Sequence, residues 1–190
     1  YDIIHIAEDT PLIVGDSANA TSINTLEGRR IDVTYHQMHP FVEGLSVATD
    51  HVSDAIAGFY NSKGEFVRLS GYTVAYDYPF FSDGSLLVKK GDKYGYIDSN
   101  GVEVIPLQYE VANNFTSSRY AKVKKDGKWG YISRNGNILV PIEYYYCGVP
   151  NENIVVVGNN GRYGYRDMNG NTLTGLLYDK VEDFGKTTTG

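Results

Sequence analysis

Asp126-Gly127-Lys128-Trp129-Gly130-Tyr131-Ile132-Ser133-Arg134-Asn135-Gly136 reads as a strand held between two turns. Asp-Gly is a strong two-residue hairpin signal, because a type I′ turn needs φ > 0 at both central residues. Asn135-Gly136 predicts a second turn by the same reasoning. Between them runs a strand of about six residues, in which alternation places Trp129 and Tyr131 on one face and Gly130 on the other. A glycine inside a strand weakens it unless something needs the space. The expectation is that an aromatic ring from a neighbouring strand lies over the bare Gly130, with Tyr144 as donor.

The same eleven residues recur on both sides, as Gly91-Asp92-Lys93-Tyr94-Gly95-Tyr96-Ile97-Asp98-Ser99-Asn100-Gly101 and as Asn160-Gly161-Arg162-Tyr163-Gly164-Tyr165-Arg166-Asp167-Met168-Asn169-Gly170. The central glycines Gly95, Gly130 and Gly164 are 35 and 34 residues apart, a period that signals a repeat architecture. Downstream, Ile105-Pro106-Leu107-Gln108-Tyr109 matches Val140-Pro141-Ile142-Glu143-Tyr144, and Leu173 to Tyr178 fills the same slot with Gly175 where Pro stood. Tyr109 and Tyr178 are the corresponding ring donors for Gly95 and Gly164. Weaker copies precede these: Phe41 to Ala48 reads as the start of a unit, with Gly58-Phe59-Tyr60 and Lys63-Gly64 in the motif places. A substitution at Gly58 is expected to be milder than one at Gly130. Tyr1 to Ala7 followed by Pro11-Leu12-Ile13-Val14 reads as the opening of a first copy.

The expected architecture is all-β. Residues 1–190 form a single repeat domain, with degenerate repeats at 1–40 and 41–80 and clear ones at 81–114, 115–148 and 149–184. Each repeat is a three-stranded antiparallel meander, Leu86–Lys90, Lys93–Ser99 and Val102–Ile105 in the first clear copy. Pro106 and Pro141 mark strand ends, because Pro cannot donate to a ladder. One meander cannot bury both faces alone, so units must stack, as a curved propeller-like array or an open solenoid.

These motifs resemble the WG-repeat (KWG-repeat) family. Lys128-Trp129-Gly130-Tyr131-Ile132 and Lys93-Tyr94-Gly95-Tyr96-Ile97-Asp98 carry the resemblance, which covers residues 81 to 184. Trp is kept only at Trp129, with Tyr94 and Tyr163 in its place elsewhere. The repeat's structural residues are thus Tyr94, Gly95, Tyr96, Trp129, Gly130, Tyr131, Tyr163, Gly164 and Tyr165. The resemblance implies a bacterial protein, secreted or surface-associated, with no shared enzymatic activity; the expected location is the periplasm or cell surface. The chain opens on Tyr1, so a signal region is outside the sequence.

Composition narrows the function further. A net charge of −6 argues against nucleic acid, which requires a concentrated basic surface. Lys89-Lys90 and Lys122, Lys124 and Lys125 are read as solvated strand edges. No apolar stretch reaches the length of a membrane-spanning helix. Cys147 stands alone, and with no His or Lys beside it in sequence it reads as a buried structural thiol. His36 and His39 fall on opposite faces of a strand and read, with His5 and His51, as surface or loop residues. Asp98-Ser99-Asn100-Gly101 and Asp167-Met168-Asn169-Gly170 lack the spaced ligands of a calcium loop, and turn chemistry accounts for them. No catalytic site, metal or cofactor is expected.

Tyrosine is the compositional outlier, with 17 residues against one Trp. Most fit the repeat core. Tyr72, Tyr76, Tyr78, Tyr145 and Tyr146 fall outside its slots, and planar amphipathic side chains suit recognition of protein or glycan. Tyr145 and Tyr146 are the candidate ligand-binding residues. The expected function is a non-enzymatic binding module for protein or glycan. The alternatives are a structural spacer in a longer repeat protein and a hydrolase built on carboxylates such as Asp77, Asp83, Glu110 or Asp183.

Overall fold

The computed structural model describes residues 12–16, 19–33, 37–50, 53, 55–77, 79–116 and 119–181. Every regular element among them is a β-strand, and the strands form five small antiparallel sheets, none closing on itself as a barrel. The first sheet holds β1 (Leu12–Asp16), β2 (Asn19–Asn24) and β3 (Arg30–Asp32). The second holds β4 (Gln37–Met38), β5 (Leu45–Thr49), β6 (Ile56–Asn61) and β7 (Phe66–Arg68). The third is built from β8 (Thr73–Val74), β9 (Phe81–Ser82), β10 (Ser85–Lys90), β11 (Lys93–Asp98) and β12 (Glu103–Tyr109). The fourth orders β13 (Val111–Ala112), β14 (Tyr120–Lys125), β15 (Lys128–Ser133) and β16 (Ile138–Tyr144), and the fifth β17 (Tyr146–Cys147), β18 (Ile154–Asn159) and β19 (Arg162–Asp167). The chain forms two compact units, Tyr1–Leu107 and Gln108–Gly190.

Local turn chemistry explains the hairpins. Asp126 and Gly127 take φ of 51° and 73°, Asn160 and Gly161 51° and 74°, the pair that a type I′ turn demands. The second turn of each repeat is built otherwise. Only its glycine is left-handed, as at Gly101 (80°) and Gly136 (78°), and the loop has three residues, closed by Asp98 N to Val102 O (2.9 Å) and Gly101 N to Asp98 O (3.0 Å). The residue before the loop supplies the reason. Asp98 Oδ1 accepts from the amides of Asn100 (2.8 Å) and Val102 (2.9 Å), which fixes the tighter first half of the turn. Desolvation raises the Asp98 carboxyl, but those amides outweigh it and hold the group below its ordinary value. Asp167 repeats the device with Asn169 and Asn171. The side chain of Asn171 and then those amides lower the Asp167 carboxyl in turn. A third turn, not anticipated from the motif, opens the strand before each hairpin: Glu43-Gly44 and Asp83-Gly84 both have positive φ at both residues. The Glu43 carboxylate spans the second of these, accepting from Asp83 N and Gly84 N at 2.8 Å each.

Several expectations are corrected by the tertiary arrangement. Pro106 and Pro141 lie inside β12 and β16 rather than ending them. Both are edge strands of their sheets. In the fourth sheet, Tyr131 pairs with Val140 and Trp129 with Tyr144, so Pro141, Ile142 and Glu143 bulge opposite Gly130 alone. A bulge on an edge is where a strand tolerates a residue without an N–H. That same bulge fills the space over the glycine. A Cβ on Gly130 would sit 2.5 Å from Val140 O and 2.8 Å from Ile142 Cα, and one on Gly95 2.7 Å from Ile105 O and 2.8 Å from Leu107 N. At Gly164 the nearest atom is Gly175 O. Backbone, not an aromatic ring, covers all three. Rings do lie over Gly58, through Phe66, and over Gly158, through Tyr163. Gly58 also has φ of 154° and Val67 O against its missing Cβ, so it is not the milder site. The tail strand after each Tyr belongs to the next sheet: Val111 pairs with Lys124, and Tyr146 with Gly158.

The core lies between consecutive sheets within each unit. Ile23, Met38, Phe41 and Ala48 join the first two sheets, and Val47, Phe59, Phe81, Val88 and Ile97 the second and third. Tyr131, Val140 and Tyr144 meet Cys147, Val155, Val157 and Met168 between the fourth and fifth. Burial of one face of each meander against its neighbour is what lets such short strands persist. Tyr131 ties that interface by donating its hydroxyl to Gly148 O at 2.6 Å.

Candidate ligand-binding site

The register of the fifth sheet aligns Tyr146, Gly158 and Tyr163 in one row across β17, β18 and β19. Paired residues of antiparallel strands share a face. The Tyr163 ring lies over bare Gly158 and meets Tyr146 edge to face, with centroids 5.7 Å apart and planes at 82°. Tyr146 and Tyr163, both half-buried, line an open hollow of about 610 Å³ together with Asp179, Lys180 and Val181, a volume within the range of small-molecule sites. Arg162 holds Asp179 at the rim with an ion pair of 3.1 Å, and its guanidinium also donates to Leu177 O at 3.3 Å. Two smaller depressions of about 410 and 380 Å³ lie elsewhere in the second unit, the latter lined by Arg119, Ser133, Arg134 and Asn135.

Corresponding rows in the preceding sheets are closed differently. Lys89 pairs with Tyr94 and Lys124 with Trp129, each ammonium 5.5 Å from the ring centroid of its partner. Lys122 approaches Trp129 too, at 4.8 Å, and donates to Cys147 O. These lysines are therefore not solvated edges. Strands β10 and β14 are interior to their sheets, and the lysine stems cover aromatic surface while their heads make cation–π contacts.

The two candidate tyrosines separate. Tyr146 enters the hollow, whereas Tyr145 is 60% exposed and its ring carries Lys128 Nζ 2.9 Å from the centroid. The Tyr145 amide is held by Asn159 Oδ1 at 2.8 Å. Tyr163, expected only as a repeat-structural residue, is the second wall of the hollow. Its signal in sequence was Gly158, which stands where the lysine of the two preceding repeats would be. The remaining repeat residues are structural in placement. Tyr96 is fully buried and Tyr131 is 3% exposed, Tyr94 and Trp129 are half-buried beneath lysines, and Tyr165 packs edge to face on Tyr178 at 5.8 Å. Gly95, Gly130 and Gly164 are buried with backbone packed against each missing Cβ.

The other titratable groups singled out in the sequence are placed as follows among the described residues. His39 is buried, not at the surface: its Nε2 lies 3.2 Å from Thr49 Oγ1, and desolvation lowers its pKa to about 4. Burial pushes the Cys147 thiol up to about 12 against the opposing fields of Lys122 and Arg166. Glu110 accepts from the Gly127 amide at 3.2 Å. Among the described residues no group of three His, Cys, Asp or Glu side chains is placed to hold a metal ion, and no helix is long and apolar enough to cross a membrane. His5, His36, His51, Tyr78 and Asp183 lie outside the described residues.

No curated protein matches the sequence. Among solved structures the chain is similar to Kluyveromyces lactis Hsv2, at 8% identity and a TM-score of 0.44, covering 86% of this chain and 58% of that one. KlHsv2 with loop 6CD replaced by a Gly-Ser linker gives 9% identity and a TM-score of 0.43 over 85% and 60% of the two chains. The chain thus spans less than two thirds of either. The family model for the WG containing repeat matches residues 94–129 and 129–163, which hold the Tyr-Gly-Tyr strand β11 and the Trp-Gly-Tyr strand β15. Residues 94–163 therefore hold two adjacent copies of the WG containing repeat.

Proposed function

We propose that this chain is a non-enzymatic interaction module of a bacterial protein, working in the periplasm or at the cell surface, with a protein or glycan as its ligand. One observation supports the reading above others: the fifth sheet departs from the repeat at Tyr146 and Gly158, and the departures expose two tyrosines in one hollow. Repeat packing does not need them, since the fourth sheet is built with Val111 and Lys124 in those places. Aromatic walls with a few polar groups at the rim bind partners at low entropic cost.

The test is a glycan array and a pull-down from envelope extract, run in parallel with the wild-type protein and with Tyr146→Val. A specific partner lost in the variant supports the module. Absence of any specific partner, with natively folded protein, refutes it.

A second reading, a spacer within a longer repeat array, is favoured by the surface beside β19. Leu173, Leu177 and Tyr178 are 48%, 67% and 43% exposed there, while the corresponding Tyr144 is 4% exposed beneath the fifth sheet. A further repeat would cover them. Unchanged thermal unfolding when a sixth repeat is appended would count against that reading.

A further inference from the structure

We infer that the turn leading into β18 is a carboxylate site, and that it takes the C-terminal residue of a peptide ending on an apolar side chain. It shares no lining residue with the hollow at Tyr146 and Tyr163, so it stands or falls independently of that reading. The chain itself supplies the precedent. At Asp83-Gly84 a hairpin turn has φ of 51° and 73°. Its two central amides donate to the two oxygens of one carboxylate, Asp83 N to Glu43 Oε1 and Gly84 N to Glu43 Oε2, at 2.8 Å each. Successive amides in a turn form a concave nest for anions. Glu152-Asn153 repeats that turn with φ of 46° and 73°, closed by Asn151 N to Ile154 O at 2.9 Å and Ile154 N to Asn151 O at 2.8 Å. Met168 N donates to Asn153 O at 2.9 Å and pins the turn. Here, among the described residues, no acceptor meets the amides of Glu152 and Asn153. The repeat before offers no counterpart of Glu43: between Thr116 and Tyr120 it holds Ser117, Ser118 and Arg119, without a carboxylate.

The turn opens on a hollow of about 410 Å³, within the range of small-ligand sites, and the hollow has the two halves such a residue needs. Half-buried Tyr120 and Leu139 and buried Met168 form its apolar side, where the fourth and fifth sheets pack together. Asn151, Asn153 and Asn169 form its polar side. Their side-chain amides both donate and accept, as the peptide groups before a C-terminal residue require. Capture of a terminal carboxylate by a backbone nest is a recurring mode of peptide recognition. Charge at the rim works both ways. The Glu152 carboxylate opposes an anion and attracts a cation, while the two amide protons attract the anion and oppose the cation. The equivalent turn decides between them, since Asp83 carries a carboxylate at the position of Glu152 and its amides still receive Glu43.

Amide resonances of the isotope-labelled whole chain read the nest directly by NMR titration. The probes are an acetylated tripeptide ending in leucine with a free carboxylate, the same peptide as its C-terminal amide, N-acetyl-leucine and acetate. The expected result is a saturable shift of the Glu152 and Asn153 amides by the peptide acid, with affinity about tenfold or more weaker for the peptide amide and for acetate. Three variants divide the site, and thermal unfolding checks that each remains folded. Glu152→Gln removes the opposing charge and should tighten the peptide acid about threefold, whereas Asn153→Asp adds one beside the nest and should weaken it about as much. Leu139→Ser should weaken the peptide and leave acetate unchanged. A peptide amide that binds as well as the acid overturns the assignment, as do shifts that spare both amides. So does an affinity that neither Glu152→Gln nor Asn153→Asp alters in folded protein. N-acetyl-leucine binding as tightly as the tripeptide would overturn the peptide and leave a small apolar acid in its place.

Discussion

Replacing Gly130 with Val sets intrinsic strand preference directly against packing. Val is the better strand former, and the gain in propensity over Gly is up to about 1 kcal/mol. The structure opposes it with backbone. The new Cβ would sit 2.5 Å from Val140 O and 2.8 Å from both Ile142 Cα and Cγ1, where ordinary contact begins at 3.4 Å. To make room, the bulge of Pro141 to Glu143 must lift away from β15, straining the pairings that flank it at Tyr131–Val140 and Trp129–Tyr144. Overpacking costs roughly 1–3 kcal/mol, and each ladder hydrogen bond loosened about 1 kcal/mol more. The net expectation, with both flanking pairings loosened, is a loss of about 2–4 kcal/mol. With a urea slope of roughly 2 kcal/mol per molar, the unfolding midpoint falls by about 1–2 M. Gly127→Ala is the internal control. Nothing lies within 4 Å of its missing Cβ, and only the φ of 73° opposes it, so it should cost about 1 kcal/mol. A midpoint for Gly130→Val that is unchanged or raised would show that the bulge yields freely and that the spacing argument is wrong.

Three further expectations follow from buried polar groups. His39 is held neutral, so the unfolded chain takes up its proton first as pH falls. Stability should therefore be full above the ordinary value of 6.5 and drain away between 6.5 and about 4; it should drop by roughly 2 kcal/mol after allowance for solvent screening. His39→Asn should flatten that part of a urea-midpoint-against-pH curve, and an unaltered slope would contradict the assignment. Tyr131→Phe strands the buried Gly148 carbonyl at a cost of about 1–3 kcal/mol by thermal unfolding; an unchanged Tm would mean the carbonyl finds another donor. Cys147, with its thiol pushed to about 12, should resist iodoacetamide in native protein at pH 8 and react readily in urea. Rapid native alkylation would refute its burial.

Local chemistry made the hairpins legible in advance. Asp126-Gly127 and Asn160-Gly161 were readable because a type I′ turn constrains two adjacent residues, and both show the required positive φ. The spacing of Gly95, Gly130 and Gly164 announced the repeat, since copies of one motif need no tertiary information to be counted. The second turn was misread because Asn100-Gly101 satisfies a two-residue pattern by itself. The competing acceptor, Asp98 Oδ1, sits two residues upstream and draws the amides into a three-residue loop.

Features set within a few residues along the chain were thus readable in advance: the middle strand of each clear copy, hairpin position, the period of the repeat and the all-β class. What stands across from each residue came from the folded arrangement. It placed Pro141 in a bulge over Gly130, put Lys124 on Trp129 rather than in solvent, and set Tyr146 beside Tyr163 while leaving Tyr145 under Lys128. The physical reason is register. A side chain's neighbours in a sheet are set by the strands paired with its own, as Trp129 is flanked by Lys124 on one side and Tyr144 on the other, and a bulge shifts that pairing by whole residues. Gly158 shows both halves of this. Its place in the repeat could be counted along the chain, but the hollow it opens exists only because β17 and β19 bring two tyrosines to either side of it.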